Sequence, residues 1–348
     1  MRKHLPVIYA LLAALLFGIN APFSKLLLKE INPLFLAALL YLGAGLGMSI
    51  IYFLKKHQKR TATEARLTKK EMPFVVLMIL LDIAAPITLM IGISMTNSST
   101  AALLGNFEIA ATSVIAMIIF KEAVGKRLWL AIAFISLASI ILTAGDAASI
   151  SISIGALLVL FSCIFWGFEN NCTRSLSIKD PLQVVIIKGF GSGLGALIIA
   201  YTWGDLSAKL FYIVLALALG FVAYGLSIFF YVTAQRELGA ARTSAYYAAA
   251  PFMGVVISWV VLRESISAAF LIALGFMILG AYLAVTEKHK HEHIHTGEMH
   301  EHRHSHNDGH HNHPHDTEIT GEHSHKHTHE ESEHSHEHTP DPHHRHTH

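Results

Sequence analysis

Charge is scarce in most of this chain, and so is anything that could make it a soluble enzyme. Only 15% of the residues are Asp, Glu, Lys or Arg, where a soluble domain carries about 25%. The shortage is concentrated between Leu5 and Thr286, a stretch dominated by Leu, Ile, Ala, Val, Phe and Gly. Such an apolar excess needs a solvent other than water. Cysteine is nearly absent. Cys163 and Cys172 fall in one predicted helix, and nine residues of helical rise part them by roughly 13 Å, too far for a disulfide. They read as small buried hydrophobes. A formal net charge of +1 does not suggest a nucleic-acid partner. No nucleophile elbow, Walker motif or Cys/His zinc site occurs, so neither catalysis nor ATP-driven transport by this chain alone is expected. After Glu287 the shortage reverses: apolar residues nearly vanish, leaving Ile294, Met299 and Ile319. A segment with so little to bury cannot offset its ordering entropy, and residues 287–348 are expected to be a disordered tail.

What is present is a series of apolar runs, each close to the roughly 20 residues that cross a bilayer. Ten are expected, near Leu5–Leu26, Pro33–Leu54, Met72–Ser94, Ser99–Phe120, Leu128–Ala144, Ile152–Asn171, Pro181–Tyr201, Leu210–Ala234, Ala241–Leu262 and Ala268–Thr286. The basic start, Arg2-Lys3-His4 before an apolar run, imitates a signal peptide. It reads instead as a retained first span, because a similar segment recurs inside the chain. Lys and Arg crowd alternate loops: Lys55, Lys56, Lys59, Arg60, Arg66, Lys69 and Lys70 in the second, Lys121, Lys126 and Arg127 in the fourth, Arg174 and Lys179 in the sixth. That bias places both termini in the cytoplasm of a multi-pass inner-membrane protein.

An internal repeat overlies this topology. Phe17-Gly18 through Asn32-Pro33 parallels Trp166-Gly167 through Asp180-Pro181, with Lys25 matching Arg174. Gly43, Gly45 and Gly47 parallel Gly191, Gly193 and Gly195, and Phe120-Lys121-Glu122 parallels Leu262-Arg263-Glu264. Residues 1–145 and 146–286 thus form two five-helix repeats. Five is odd, so the second copy enters the membrane from the opposite face, as in secondary transporters that alternate access around a midplane site. The fold class expected is an all-α membrane protein of two inverted repeats with a His-rich tail. The glycines read as sites of close helix approach.

The paired five-span halves, the glutamates Glu122 and Glu264 after the fourth helix of each, the glycine-rich second helices and Pro251 together resemble the drug/metabolite transporter superfamily, specifically its EamA-type members. The resemblance covers Leu5 to Thr286. It implies a ten-helix fold with cytoplasmic termini, a central substrate cavity, and outward movement of amino acids or other metabolites. The His-rich tail departs from that pattern.

Ionisable residues at membrane depth are functional candidates. Asp82 and Glu108 fall near the midplane of the third and fourth spans, where a pair of carboxylates can bind a cation or exchange a proton. Glu169 and Lys188 lie at similar depth and can form an ion pair with a structural or gating role. Asn20, Asn170 and Tyr247 can line a cavity. Glu122 and Glu264, each preceded by a basic residue, suggest local charge compensation and turn anchoring. In the tail lie 23 of the 25 histidines, all but His4 and His57. Their alternation (His289, His291, His293 and His295; His302, His304 and His306; His323, His325, His327 and His329) suits Zn²⁺, Ni²⁺ or Co²⁺.

The inverted repeat and the resemblance together imply a secondary transporter of a small metabolite in the lipid bilayer, requiring no cofactor, with a homodimer left open. The competing reading is a divalent-metal transporter whose tail collects or senses the ion.

Overall fold

The computed structural model describes residues 5–57, 71–120, 125–143, 153–174, 176, 180–238, 246–286, 289–295, 299–304, 323–328 and 332–338. Helices account for the whole described core. Nine are long and apolar enough to cross a membrane: Leu5–Leu27, Pro33–Leu54, Met72–Met95, Ser98–Ile119, Lys126–Thr143, Ile154–Cys172, Leu182–Trp203, Leu210–Tyr231 and Ala268–Val285. A shorter one, Ala250–Leu262, lies between the eighth and the last. Counting it as the ninth, the core has the ten helices expected.

Large apolar side chains such as Ile50, Phe53, Ile118, Ile140, Ile198 and Val260 point outward, while much of the interior is alanine. Lipid tails are as apolar as leucine, so burying leucine between helices gains little; close approach of backbones does the work. A Cβ on Gly43 would overlap the carbonyl of Leu217, and one on Gly220 the carbonyl of Leu40. Glycine is what lets the second and eighth spans touch there.

The two halves exchange into one another. The third span packs on the sixth as the eighth packs on the first, and the fourth packs on the sixth as the ninth packs on the first. The second on the eighth corresponds to the seventh on the third. The pairs second–seventh, fourth–ninth and fifth–tenth map onto themselves. Even the matched glycines obey the rule: Gly18 abuts Ala250 and Met253 of the ninth span, and Gly167 abuts Ala111 and Thr112 of the fourth.

Three spans are interrupted where they meet. The first breaks between Gly18 and Asn20, just before Pro22, which lacks the N–H that would engage the Gly18 carbonyl. In the fourth, helix Ser98–Leu104 stops and Phe107–Phe120 begins, with tight i→i−3 bonds from Gly105 N to Ala102 O (3.1 Å) and Asn106 N to Leu103 O (3.2 Å). The ninth was expected as one run from Ala241. Residues 241–245 lie outside the described set, a turn at Ala248–Ala249 follows Tyr246–Tyr247, and the helix restarts at Ala250. Thirteen residues rise only about 20 Å, short of the ~30 Å hydrocarbon layer. Pro251 contributes to the interruption by offering no N–H to Tyr247.

The tail carries two antiparallel strand pairs, His289–His295 with Ser332–His338 and Met299–His304 with His323–Thr328. An isolated two-stranded ladder is marginal in water. His306 and His329 lie outside the described residues, as does Glu122.

Candidate functional site

Where the interrupted spans converge lies a cavity of about 110 Å³. Its wall holds Asn20 of the first span, Asn106 and Glu108 of the fourth, Cys163 and Trp166 of the sixth, and Tyr247 at the ninth-span break. Glu108 stands in the first turn of the restarted fourth helix, where the helix dipole favours a carboxylate. Asn170 of the sixth span donates to Glu108 Oε1 at 2.6 Å. Asn20 donates through Nδ2 to the Tyr224 hydroxyl at 3.0 Å and accepts from Ser24 Oγ at 3.0 Å. Tyr247 packs its ring at 5.9 Å from Phe17, which also meets Trp166 edge-on at 6.4 Å.

Asp82, Glu169 and Lys188 form a separate, buried cluster beside this cavity. Lys188 Nζ lies 2.9 Å from Glu169 Oε1 and 3.3 Å from Asp82 Oδ2. The Tyr41 hydroxyl donates to Asp82 Oδ1 at 2.9 Å. Asp82 Oδ2 has charge proximity to Lys188 without a hydrogen bond of good geometry. Pro86, one turn on in the third span, also withholds an N–H from the Asp82 carbonyl. The pairing of Lys188 with Glu169 expected from their depth is present. Asp82 and Glu108, expected as a pair, are instead divided between the two clusters. Depth along a helix is legible in a sequence; the direction in which a side chain leaves it is set by packing. Neighbouring residues on the sixth span link the two sets, Glu169 facing Lys188 and Asn170 facing Glu108.

Three features went unread in the sequence. Asn106 is 1% exposed, and its Oδ1 has no hydrogen-bond partner among the described residues. The Gly105-Asn106 dipeptide was its available signal, since such pairs mark chain breaks. Cys163, read as a simple hydrophobe, is at the cavity wall with its Sγ 3.6 Å from Leu104 O. Lys25, noticed only as a repeat landmark, caps the end of the third span by donating to the carbonyls of Ile93 (2.6 Å), Ser94 (3.1 Å) and Thr96 (2.7 Å).

Glu264 grips the other side of the same turn. Its Oε1 accepts from Ser98 N at 2.8 Å and its Oε2 from Ser99 N at 2.9 Å, at the start of the fourth span. Turn anchoring holds, and the partner that compensates the charge is a helix N-terminus 165 residues away. Burial pushes this carboxyl upward, but the hydrogen bonds from Ser98 and Ser99 outweigh it and hold Glu264 below its ordinary value of 4.5. Arg263 precedes it in the left-handed conformation (φ 52°), its N–H closing the ninth helix on Trp259 O at 3.1 Å.

Ten apolar helices among the described residues, in two exchangeable halves broken around a cavity that holds Glu108, fit a multi-pass membrane transporter. The EamA-like transporter family matches residues 4–144 and again 153–286, and the chain belongs to that family. An uncharacterized transporter of Methanothermobacter thermautotrophicus is 27% identical over 283 residues, which span 77% of this chain and 82% of that protein. A crystallographically solved protein shares the fold alone, with a TM-score of 0.59 at 15% identity, over 80% of this chain and 95% of its own.

Proposed function

We propose that the chain is a secondary transporter that moves a small metabolite, an amino acid or a related solute, outward across the inner membrane, with both termini cytoplasmic. Alternating access would centre on the cavity between the two repeats, residues 1–145 and 146–286. The observation that carries this reading is Glu108 at the wall of that cavity, in the first turn of a restarted helix. Interrupted spans at a repeat interface are how such transporters present backbone and side-chain groups to a solute at membrane depth. Glu108 would take part in binding or couple movement to protons. Asp82, Glu169 and Lys188 would hold the helices around it.

The divalent-metal reading rests on the tail histidines. Among the described residues, no group of three or more His, Cys, Asp or Glu side chains gathers to hold a metal ion. The tail would then bind metal apart from the transport cavity.

The test is flux into proteoliposomes holding the purified chain, across amino acids, amines, Zn²⁺ and Ni²⁺, compared with Glu108→Gln. Metabolite flux that disappears in the variant, with the protein still folded in the membrane, supports the reading. Coupled flux that survives Glu108→Gln sinks the role of Glu108, and metal flux through the core would replace the metabolite by a metal.

A further inference from the structure

The chemistry of the cavity wall is one-sided. Among the described residues that line it, none is Lys, Arg or His, and Glu108 is present. The adjoining cluster adds two carboxylates, Asp82 and Glu169, against one ammonium, Lys188, which is already held between them at 3.3 and 2.9 Å. The cluster and the wall together hold three carboxyl groups and one ammonium, an excess that a proton or a cationic ligand would offset.

Neutral groups at the wall lean the same way. Asn106 Nδ2 points to Leu103 O at 3.5 Å, which leaves Oδ1 as a buried acceptor without a donor. In this orientation the amide nitrogen, the donor, faces the Leu103 carbonyl. Gly18 and Tyr247 are both at the wall, and Pro22 and Pro251 supply no N–H to their carbonyls. Two amide donors, by contrast, are already engaged: one N–H of Asn20 on Tyr224, and one of Asn170, just behind the wall, on Glu108. The rings of Phe17, Trp166 and Tyr247 complete the wall, and aromatic faces attract organic cations. A volume of about 110 Å³ is somewhat below the ~150 Å³ that accommodates a benzene, which suits a body of about five heavy atoms.

We infer that the cavity selects a small organic monocation, a primary ammonium on a short apolar body, over the zwitterionic amino acid built on the same skeleton. This rests on reading the cavity as the transport site, and it narrows the substrate class within that reading. The ammonium donates to Glu108 and to Asn106 Oδ1, and the apolar body lies against the rings. An amino acid brings the same ammonium but also a carboxylate, for which the wall holds no cation and few free donors.

The probes are n-butylammonium and norvaline, which is that amine with a carboxylate on the carbon bearing nitrogen. Isothermal titration of the detergent-solubilised full chain should show saturable binding of n-butylammonium and norvaline weaker by about a hundred-fold or more. Glu108→Gln should abolish the amine signal. Asn106→Leu should weaken it by roughly ten- to hundred-fold, while the ligand-free melting temperature holds or rises because an orphaned acceptor is gone. That combination separates a ligand contact from a merely structural one, and it remains informative if Glu108→Gln fails to fold. Norvaline binding as tightly as n-butylammonium, or amine binding unmoved by Asn106→Leu and Glu108→Gln, overturns the inference. Norvaline flux in proteoliposomes without amine binding would reject the amine class and leave transport intact. Amine binding through Glu108 with no flux of any solute would keep the site and reject transport.

Discussion

Replacing Lys188 by Met should be among the most damaging single changes available in the core. The side chain is buried and lies 2.9 Å from Glu169 and 3.3 Å from Asp82. Asp82 and Glu169 are themselves 0% and 2% exposed, so neither can turn to solvent when the ammonium is lost. Removing one partner of a buried pair costs about 3–5 kcal/mol, much of it the penalty of leaving charge unpaired. At roughly 2 °C per kcal/mol for a large chain, the melting midpoint should fall by about 6–10 °C. The assay is thermal unfolding in detergent, followed by tryptophan fluorescence. The triple variant Lys188→Met, Asp82→Asn, Glu169→Gln carries no charge in the cluster and should recover most of that loss, as neutral replacements of buried ion pairs commonly do. The single variants Asp82→Asn and Glu169→Gln complete the cycle that isolates the coupling. A Lys188→Met protein that melts with the wild type, or a triple variant no more stable than Lys188→Met, would refute the view that this ammonium neutralises two buried carboxylates.

Glu264→Gln should cost about 1 kcal/mol of stability, the usual worth of a helix cap. Because the native carboxyl is held below 4.5, its contribution is fully present above that pH and fades as the pH falls through its native value; wild type and variant should therefore converge in melting temperature on acidification. Gly43→Ala should destabilise the second–eighth span contact by about 1–3 kcal/mol, since the added methyl meets the Leu217 carbonyl. Gly275→Ala, which meets nothing within 4 Å, should be neutral or slightly stabilising by helix propensity; a low yield of folded protein for the second but not the first would contradict the packing. Deleting residues 287–348 should remove Zn²⁺ and Ni²⁺ binding measured by calorimetry while leaving solute flux through the core unchanged.

The membrane architecture was legible because a bilayer fixes helix length, so runs near Pro33–Leu54 and Met72–Ser94 could be read almost to the residue. The repeat was legible because landmarks such as Gly18 and Gly167 do equivalent jobs in equivalent contacts. The site was only partly so. Glu108, Asn20 and Tyr247 do line the cavity, yet Asp82 was matched with the wrong partner because rotation about a helix axis depends on neighbours that hydropathy does not name. The break at Gly105-Asn106 sat unnoticed in an otherwise apolar run. Glu264 was read beside Arg263, when its hydrogen-bond partners come from the opposite half of the chain.

The exchange relation between the halves has an energetic corollary. If the first five helices took up the arrangement of the last five, and the reverse, the principal inter-half contacts would each have an existing counterpart to become. Two such states built from identical halves would be equal in free energy. Here the halves differ: Asn106 stands at one break while Ala248 and Ala249 stand at the other. Those departures from self-similarity, and no separate hinge, would then set which way the empty protein rests and how much a bound solute must contribute to turn it.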